Sequence, residues 1–464
     1  MEEADSLARF SSGLNPLAVV LLLLGGLLLL VSSRQNGLKA LLGVALLIPM
    51  GQQFLVLGLH FSFFRVLIAV GLMRVFLRGD HHGFAMKKVD KLFIAWALIG
   101  VVCGAIRGMK AEYLGAAYDS LGIYFVVRIL TKEPKDVLSP LRFLCLLSLV
   151  VAGVMCVETA THRNPFSIMG GVPLVDAVRE GRVRCQGPFQ HPIAAGTFGG
   201  CFFPLMIGLW LQGGSGRGAA LAGIIGCIVI TITAVSSGAL MCVMAACIGL
   251  FLWRARNRMR LFRRAVVALL IALTIVMKAP VWYLIAKVSD LVGGGGWHRS
   301  YIIDLCVHHF SSWWLVGDSY SKRWSPDYTG IVGDPNSLDI TNYYVAQCAA
   351  GGIWMFAAFI AIITCCFQIV GRLVHSDENL PWKRTFIWTF GVCLAAYCTS
   401  FISSGVANQS GVFWHWLLAV VAGLPAYVAS GDGAAVSGAE PVSDDLTQHR
   451  ADSQAEPLHS PNPA

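Results

Sequence analysis

The run PLAVVLLLLGGLLLLV at residues 16–31 decides the fold, because sixteen residues pass without a charge. KLFIAWALIGVVCGAI (91–106) and GAALAGIIGCIVITI (218–232) have the same character. Runs of this length and apolarity are bilayer-spanning helices. The composition agrees: of 464 residues, 56% are hydrophobic and 13% charged, and the mean hydropathy is +0.66. A soluble enzyme is excluded. A β-barrel is disfavoured, since its spans are shorter and alternate apolar with polar residues. The expected fold is all-α, a polytopic transmembrane helical bundle of about 12–13 spans.

Working outward, Lys and Arg set the orientation. RARNRMRLFRR (254–264) carries six arginines in eleven residues and reads as a positive-inside anchor. Counting from it, the basic turns at Arg34 and Lys39, Arg78 to Lys91, Arg128 to Arg142, Arg217, and Arg372 to Arg384 are cytoplasmic. Spans are expected at 16–31, as a second segment that ends near Pro49, at 61–77, 92–106, 114–130, 139–157 and 191–211, then as a pair broken at AVSSG (234–238). A further span at 265–281 leads into a long polar interruption, and three more follow at 343–370, 385–404 and 412–429. The segments 158–190, 234–238 and 282–342 then lie outside. Residues 1–15 are polar and lack the basic n-region of a cleavable signal. The organisation is an N-terminal bundle (1–281), a large external loop (282–342), C-terminal transmembrane helices (343–429), and a disordered cytoplasmic tail (430–464) poor in large apolar residues.

A connection the length of 282–342 needs a reason beyond joining spans. It holds GGGGWHRSYIIDLCVHHFSSWWLVGDSYSKRWSPDYTGIVGDPNSLDITNYY (293–344, with its last residues entering the next span). No Walker loop, HExxH or GxSxG is present, and GGGG (293–296) reads as a hinge. The fourteen cysteines lie mostly in apolar spans as small hydrophobes, without zinc spacing. Cys185 and Cys306 could pair as a disulfide. Asp304 and His308, four apart on a helix, could share a metal, but no metal site is expected. Arginines on the outer side run against the charge trend. Arg184 and Arg299 suit phosphate oxygens bidentately, while Arg179 and Arg182 either meet lipid headgroups or pair with Glu158, Asp176 and Glu180. Trp297, Trp313, Trp314 and Trp324 read either as an interfacial belt or as sugar-stacking faces.

RCQGPFQHPIAAGTF (184–198), SSGALM (236–241), HRSYIIDL (298–305), GDSYS (317–321) and DITNYYVAQCAAGGI (339–353) follow one another in an order that resembles the O-antigen ligase/polymerase superfamily. The resemblance spans roughly residues 140–425. It implies a bacterial inner-membrane enzyme whose donors are undecaprenyl-pyrophosphate-linked glycans, with Arg184 and Arg299 contacting the pyrophosphate. It also implies substrate contacts from Gln190, Asp318, Thr341, Asn342 and Tyr343. Two departures matter. Ligases carry a histidine where this chain has Thr341, and many carry an arginine where it has Gly238. The missing histidine, together with Asp339 in the same motif, moves the reading from ligase toward polymerase.

The expected chemistry is attack by a sugar hydroxyl on an anomeric carbon whose leaving group is undecaprenyl pyrophosphate. Asp339 is the first candidate base and His191 the second, although Asp339 also stands where an N-cap would. No cofactor and no nucleic-acid partner are expected. The partners are the glycan donor and acceptor, the lipid bilayer and a chain-length regulator protein. The rival class is a carrier, such as a lipid-linked glycan flippase. It would place functional charges mid-span and show internal repeats, and Asp119 is the main charge there.

Overall fold

The computed structural model describes residues 14–56, 59–108, 111–175, 177–179, 181–291, 296–318, 324–325, 340–376, 382–406 and 408–437. It is helical, with two small antiparallel hairpins as its sheets among the described residues. The first half contains α1 (Pro16–Val31), α2 (Arg34–Leu47), a hairpin of β1 (Gln53–Val56) and β2 (Leu59–Ser62), α3 (Phe63–Leu77), α4 (Lys88–Ile106), α5 (Ala111–Leu130) and α6 (Pro134–Thr161). A second hairpin, β3 (Ala177–Arg179) and β4 (Arg182–Arg184), precedes α7 (Pro192–Gln212), α8 (Arg217–Thr233), α9 (Ser237–Phe251) and α10 (Met259–Val276). The polar interruption contributes α11 (Leu284–Leu291), α12 (Trp297–His308) and the short α13 (Phe310–Trp313). The chain ends with α14 (Tyr343–His375), α15 (Arg384–Ser400) and α16 (Asn408–Ser437). Eight helical stretches among the described residues are long and apolar enough to cross a membrane, one of them uniting α9 and α10. This is a multi-pass membrane protein.

Local chemistry explains where the helices start. Asn15 caps α1, its side chain accepting from the Leu17 and Ala18 amides at 3.0 and 3.5 Å, with Pro16 at the first helical position. Glu133 and Asp136 form a reciprocal box ahead of α6, again with a proline at its start. Three boundaries differ from the sequence expectation. Lys39 lies inside α2, because the helix already starts at Arg34 after the Ser33 cap. The arginine-rich segment divides between a 3-10 turn (Leu252–Arg258) and the first turns of α10, which begins at Met259 and whose apolar run begins at Ala265. The last helix continues to Ser437 rather than ending before Ser430.

The helix ends sort to two opposite faces. At the basic face Arg34 bonds Glu133 at 2.5 Å and Asp136 at 3.3 Å, and Lys135 bonds Glu133 at 2.7 Å. These cations, Lys135 foremost, hold the Glu133 carboxyl below its ordinary pKa. Arg78 donates to the carbonyls of Val31 and Ser32 that end α1, and Lys383 donates to Leu211 O at the end of α7 at 3.0 Å. Arg128, expected in a connecting turn, is instead buried in the last turn of α5 and pairs with Asp90 at 3.3 Å. Asp90 also accepts from Tyr124 at 2.6 Å.

At the other face the long segments interlock. Gln52, fully buried, accepts from the Asn15 amide at 2.9 Å and donates to Met169 O at 2.5 Å. Gln409 donates to Pro188 O at 2.9 Å and Ile48 O at 3.3 Å. One hydrophobic core runs between these faces, built around Phe93, Tyr124, Phe198, Phe202, Tyr397 and Trp414.

The polar interruption docks on a kink. α14 is broken at Gly351 and Gly352, the latter with φ 66°. Arg107 satisfies carbonyls freed there, donating to Ala349 O at 2.8 Å and Ala350 O at 2.5 Å. From the other side Asp318 N donates to Ala349 O at 2.8 Å, and Ile353 N to Trp314 O at 2.9 Å. Gly317 has φ 82°, and a β-carbon there would run into the Ala349 carbonyl. Gly317→Ala is therefore expected to undock this segment at a cost of about 2–4 kcal/mol, visible as a lowered Tm in detergent with new proteolysis between residues 310 and 325. An unchanged Tm would refute that docking.

Candidate functional site

The break between α8 and α9 is the centre. Val235 sits there with φ 43°, a conformation unfavourable for a β-branched residue and held only because its neighbours dictate it. α9 begins at Ser237 without a side-chain cap from Ser236, so the first amides of this helix carry its positive dipole end uncovered by that residue. Gly238 adds no side chain over them.

Three other segments converge on the break. The Cys185 amide donates to Thr233 O, the last residue of α8, at 3.1 Å, which brings half-buried Arg184 alongside. Arg299, on α12, extends its guanidinium to Ser237 Oγ at 3.3 Å. The same guanidinium lies 3.8 Å from where a β-carbon on Gly238 would be. The turn after α15 supplies the third: Ser403 Oγ lies 2.6 Å from that same β-carbon position. Arginine at 238 would thus meet both Ser403 and a like charge, whereas glycine leaves room for Arg299.

Asn342 and Tyr343 build this site from beneath. Asn342 is buried and caps α14, accepting from the Tyr344 and Val345 amides at 3.0 and 3.1 Å, while its Nδ2 donates to Ile402 O at 3.4 Å. Tyr343 N donates to Phe401 O at 2.8 Å, and its ring packs on Phe401 and Phe359. Both expected substrate contacts are structural ties to the 400–404 turn. Thr341 is different. Its hydroxyl is buried and has no hydrogen-bond partner among the described residues.

Other expectations are redirected. His191 is the N-cap of α7, its Nδ1 accepting from the Ile193 amide at 3.1 Å, so the nitrogen a base would use is engaged. Gln190 is half-buried beside it. Asp318 lies at the α14 kink, some seven residues or about 10 Å along the helix from Asn342, and its carboxylate accepts from Trp324 at 2.9 Å. Trp313 is buried and donates to Cys306 O at 2.7 Å, so of the four tryptophans Trp297 and Trp314 alone expose a large ring surface. Asp304 and His308 pair with each other at 3.4 Å. Cys185 contacts Thr159 Oγ1 at 3.1 Å and Cys306 lies beside Cys348, so the two do not bridge. The Cys348 contact and then burial push the Cys306 thiol well above its ordinary pKa, leaving no thiolate nucleophile there. Asp339 lies outside the described residues.

The chain matches no protein-family model, and no curated protein matches it. The site is therefore read from its own geometry.

Glu158 has a role that the sequence reading missed. Fully buried, it accepts from the Gln186 amide at 2.8 Å and the Gly187 amide at 2.9 Å, holding the QGPF turn as a backbone anion-binding curl occupied by its own carboxylate. It was read only as a partner for surface arginines. A carboxylate at the end of an apolar run, facing a Gly-Pro turn, was the available signal. Arg65 was missed too. It binds Asp119 through two nitrogens at 2.9 and 3.0 Å, and its position as the third residue of an apolar helix was that signal.

Proposed function

We propose that this protein is a membrane glycosyltransferase that joins lipid-pyrophosphate-linked glycan repeats at the external face of a bacterial inner membrane. The observation carrying this reading is Arg299 poised over the uncapped start of α9. A guanidinium and a helix N-terminus aimed at one point form an anion site, and a pyrophosphate leaving group is an anion that gains charge as its glycosyl bond breaks. Arg184, held at the same break, is the second cation. Ser403 and Thr341 offer neutral hydroxyls at its edge, suited to sugar rather than phosphate.

In this reading about thirteen crossings alternate from an external N-terminus, the basic face is cytoplasmic, and the polar interruption covers the site. The acceptor hydroxyl attacks the anomeric carbon, the C–O bond to pyrophosphate breaks, and the released proton passes to Asp339, three residues before Asn342 in the chain. Polymer growth fits better than ligation, because Thr341 cannot act as the base that histidine would be. The test is polymer length on gels from cells carrying Arg299→Ala or Asp339→Asn. Normal long chains from both variants would sink the assignment.

Thr341→Val separates a ligand role from a structural one. Removing an unpartnered buried hydroxyl leaves stability unchanged or raised, so Tm should not fall. Polymer yield should drop about tenfold, the worth of one hydrogen bond to substrate. Unchanged yield removes Thr341 from the site. The carrier reading draws support from the Arg65–Asp119 pair inside the helices. The location of single lipid-linked repeats after gene deletion decides between the two: outside for a lost polymerase, inside for a lost flippase.

A further inference from the structure

A cavity of about 260 Å³ lies between the starts of α3 and α16 and the middle of α5. Its walls include Phe64, Asp119, Ser120, Val406, Gly411 and His415. Val406 closes the stretch that begins with the 400–404 turn, so the cavity borders the segment whose Ser403 stands beside Gly238 and Arg299. It is at the loop-covered face: Phe64 follows the β1–β2 hairpin, and Gly411 lies two residues beyond Gln409, which binds Pro188 O.

The polar groups in the wall select a ligand. Asp119 is bound by two Arg65 nitrogens, yet its side chain keeps 33% of its surface exposed, so its oxygens can accept further hydrogen bonds. Arg65 neutralises it, which removes the attraction for a free cation, and no cation among the wall residues named above calls for an anion. His415 packs in the wall more than nine-tenths buried, with its Nε2 shut off from the open space. Ser120, 9% exposed, adds a hydroxyl. A purely apolar guest would leave these desolvated groups unpaired. What satisfies a neutralised carboxylate and a hydroxyl beside a phenyl side chain is an uncharged ligand with several hydroxyls on a compact ring. The volume is below the roughly 300–1,000 Å³ of drug-sized sites, which limits the guest to about one ring.

We propose that this cavity binds a single neutral monosaccharide ring, the terminal sugar of the acceptor glycan. That the ring belongs to the acceptor rests on the glycosyl-transfer reading; the binding of a sugar ring does not. The cavity and the Arg299 anion site then stand at either end of one short stretch of chain, residues 403–406. The acceptor would be held from the α3–α5 side while the donor pyrophosphate sits at the α8–α9 break.

The experiment uses the purified full chain in detergent and ligand-detected saturation-transfer NMR with free glucose, galactose, mannose, rhamnose and N-acetylglucosamine at millimolar concentration. At least one sugar should receive saturation. Gly411→Leu fills the cavity without disturbing the Arg65–Asp119 pair, because a β-carbon at 411 meets Val406 at 3.7 Å and His415 at 4.0 Å, ordinary contacts. The transfer should fall at least about fivefold in Gly411→Leu and in Ser120→Val, the second variant serving if the first does not fold, and should persist in Arg299→Ala. No transfer to any of the five sugars, or undiminished transfer in the folded filling variants, overturns the proposal. Sugar binding together with normal polymer from Arg299→Ala leaves the cavity standing and removes the transferase reading instead.

Discussion

Arg299→Ala is expected to lower polymer formation by about 10²–10³, the effect of losing one charged contact to a developing anion. The magnitude follows from placement. The guanidinium lies against Ser237 Oγ at the start of α9, where Ser236 makes no side-chain cap and Gly238 adds no side chain. It is half-buried, so its charge is less screened than that of a surface arginine. Arg299→Lys keeps the charge but not the fork, and should recover only part of the rate. Thermal unfolding of both variants separates this role from a structural one, since the side chain also ties the Trp297–His308 helix to Ser237. A large fall in Tm with proportional loss of polymer would make Arg299 a structural residue and remove the main support for the proposed chemistry.

Glu158→Ala should have the largest effect on stability. Its carboxylate is fully buried and takes the amides of Gln186 and Gly187. Removing it orphans two buried N–H groups at once, at a cost of about 3 kcal/mol or more. The QGPF turn should loosen, and with it the Cys185–Thr233 bond that sets Arg184 against the break. Glu158→Gln retains one acceptor oxygen and should lose about half as much. Thermal unfolding in detergent reads both. Equal Tm values for Glu158→Ala and wild type would show that water or lipid headgroups satisfy the turn.

Much of the frame was legible from residue order because bilayer physics is local. An apolar run such as 91–106 must become a helix whatever surrounds it, and the structure has α4 at Lys88–Ile106. The broken pair at AVSSG was legible for a similar reason: small and hydroxyl residues interrupt an otherwise apolar period, and the helices stop and restart at Thr233 and Ser237. The roles of single polar residues were not legible. Asn342 and Tyr343 stood out as site residues, yet one caps a helix and the other packs on Phe401. His191 stood out as a base and is a cap. Polar residues at span boundaries serve capping and chemistry with the same side chains, so their type and spacing cannot separate the two.

The distribution of apolar runs and basic turns was enough to specify a multi-pass helical protein, since each helix satisfies its own backbone and each basic turn follows from charge. Tertiary packing alone brought Arg299 across 62 positions of chain to Ser237, set Ser403 beside Gly238, buried Glu158 under the QGPF turn, and enclosed Asp119, Ser120 and His415 around one cavity. Contacts between distant segments depend on which helix faces meet. In a bundle apolar on nearly every side, the hydrophobic pattern gives little indication of that choice.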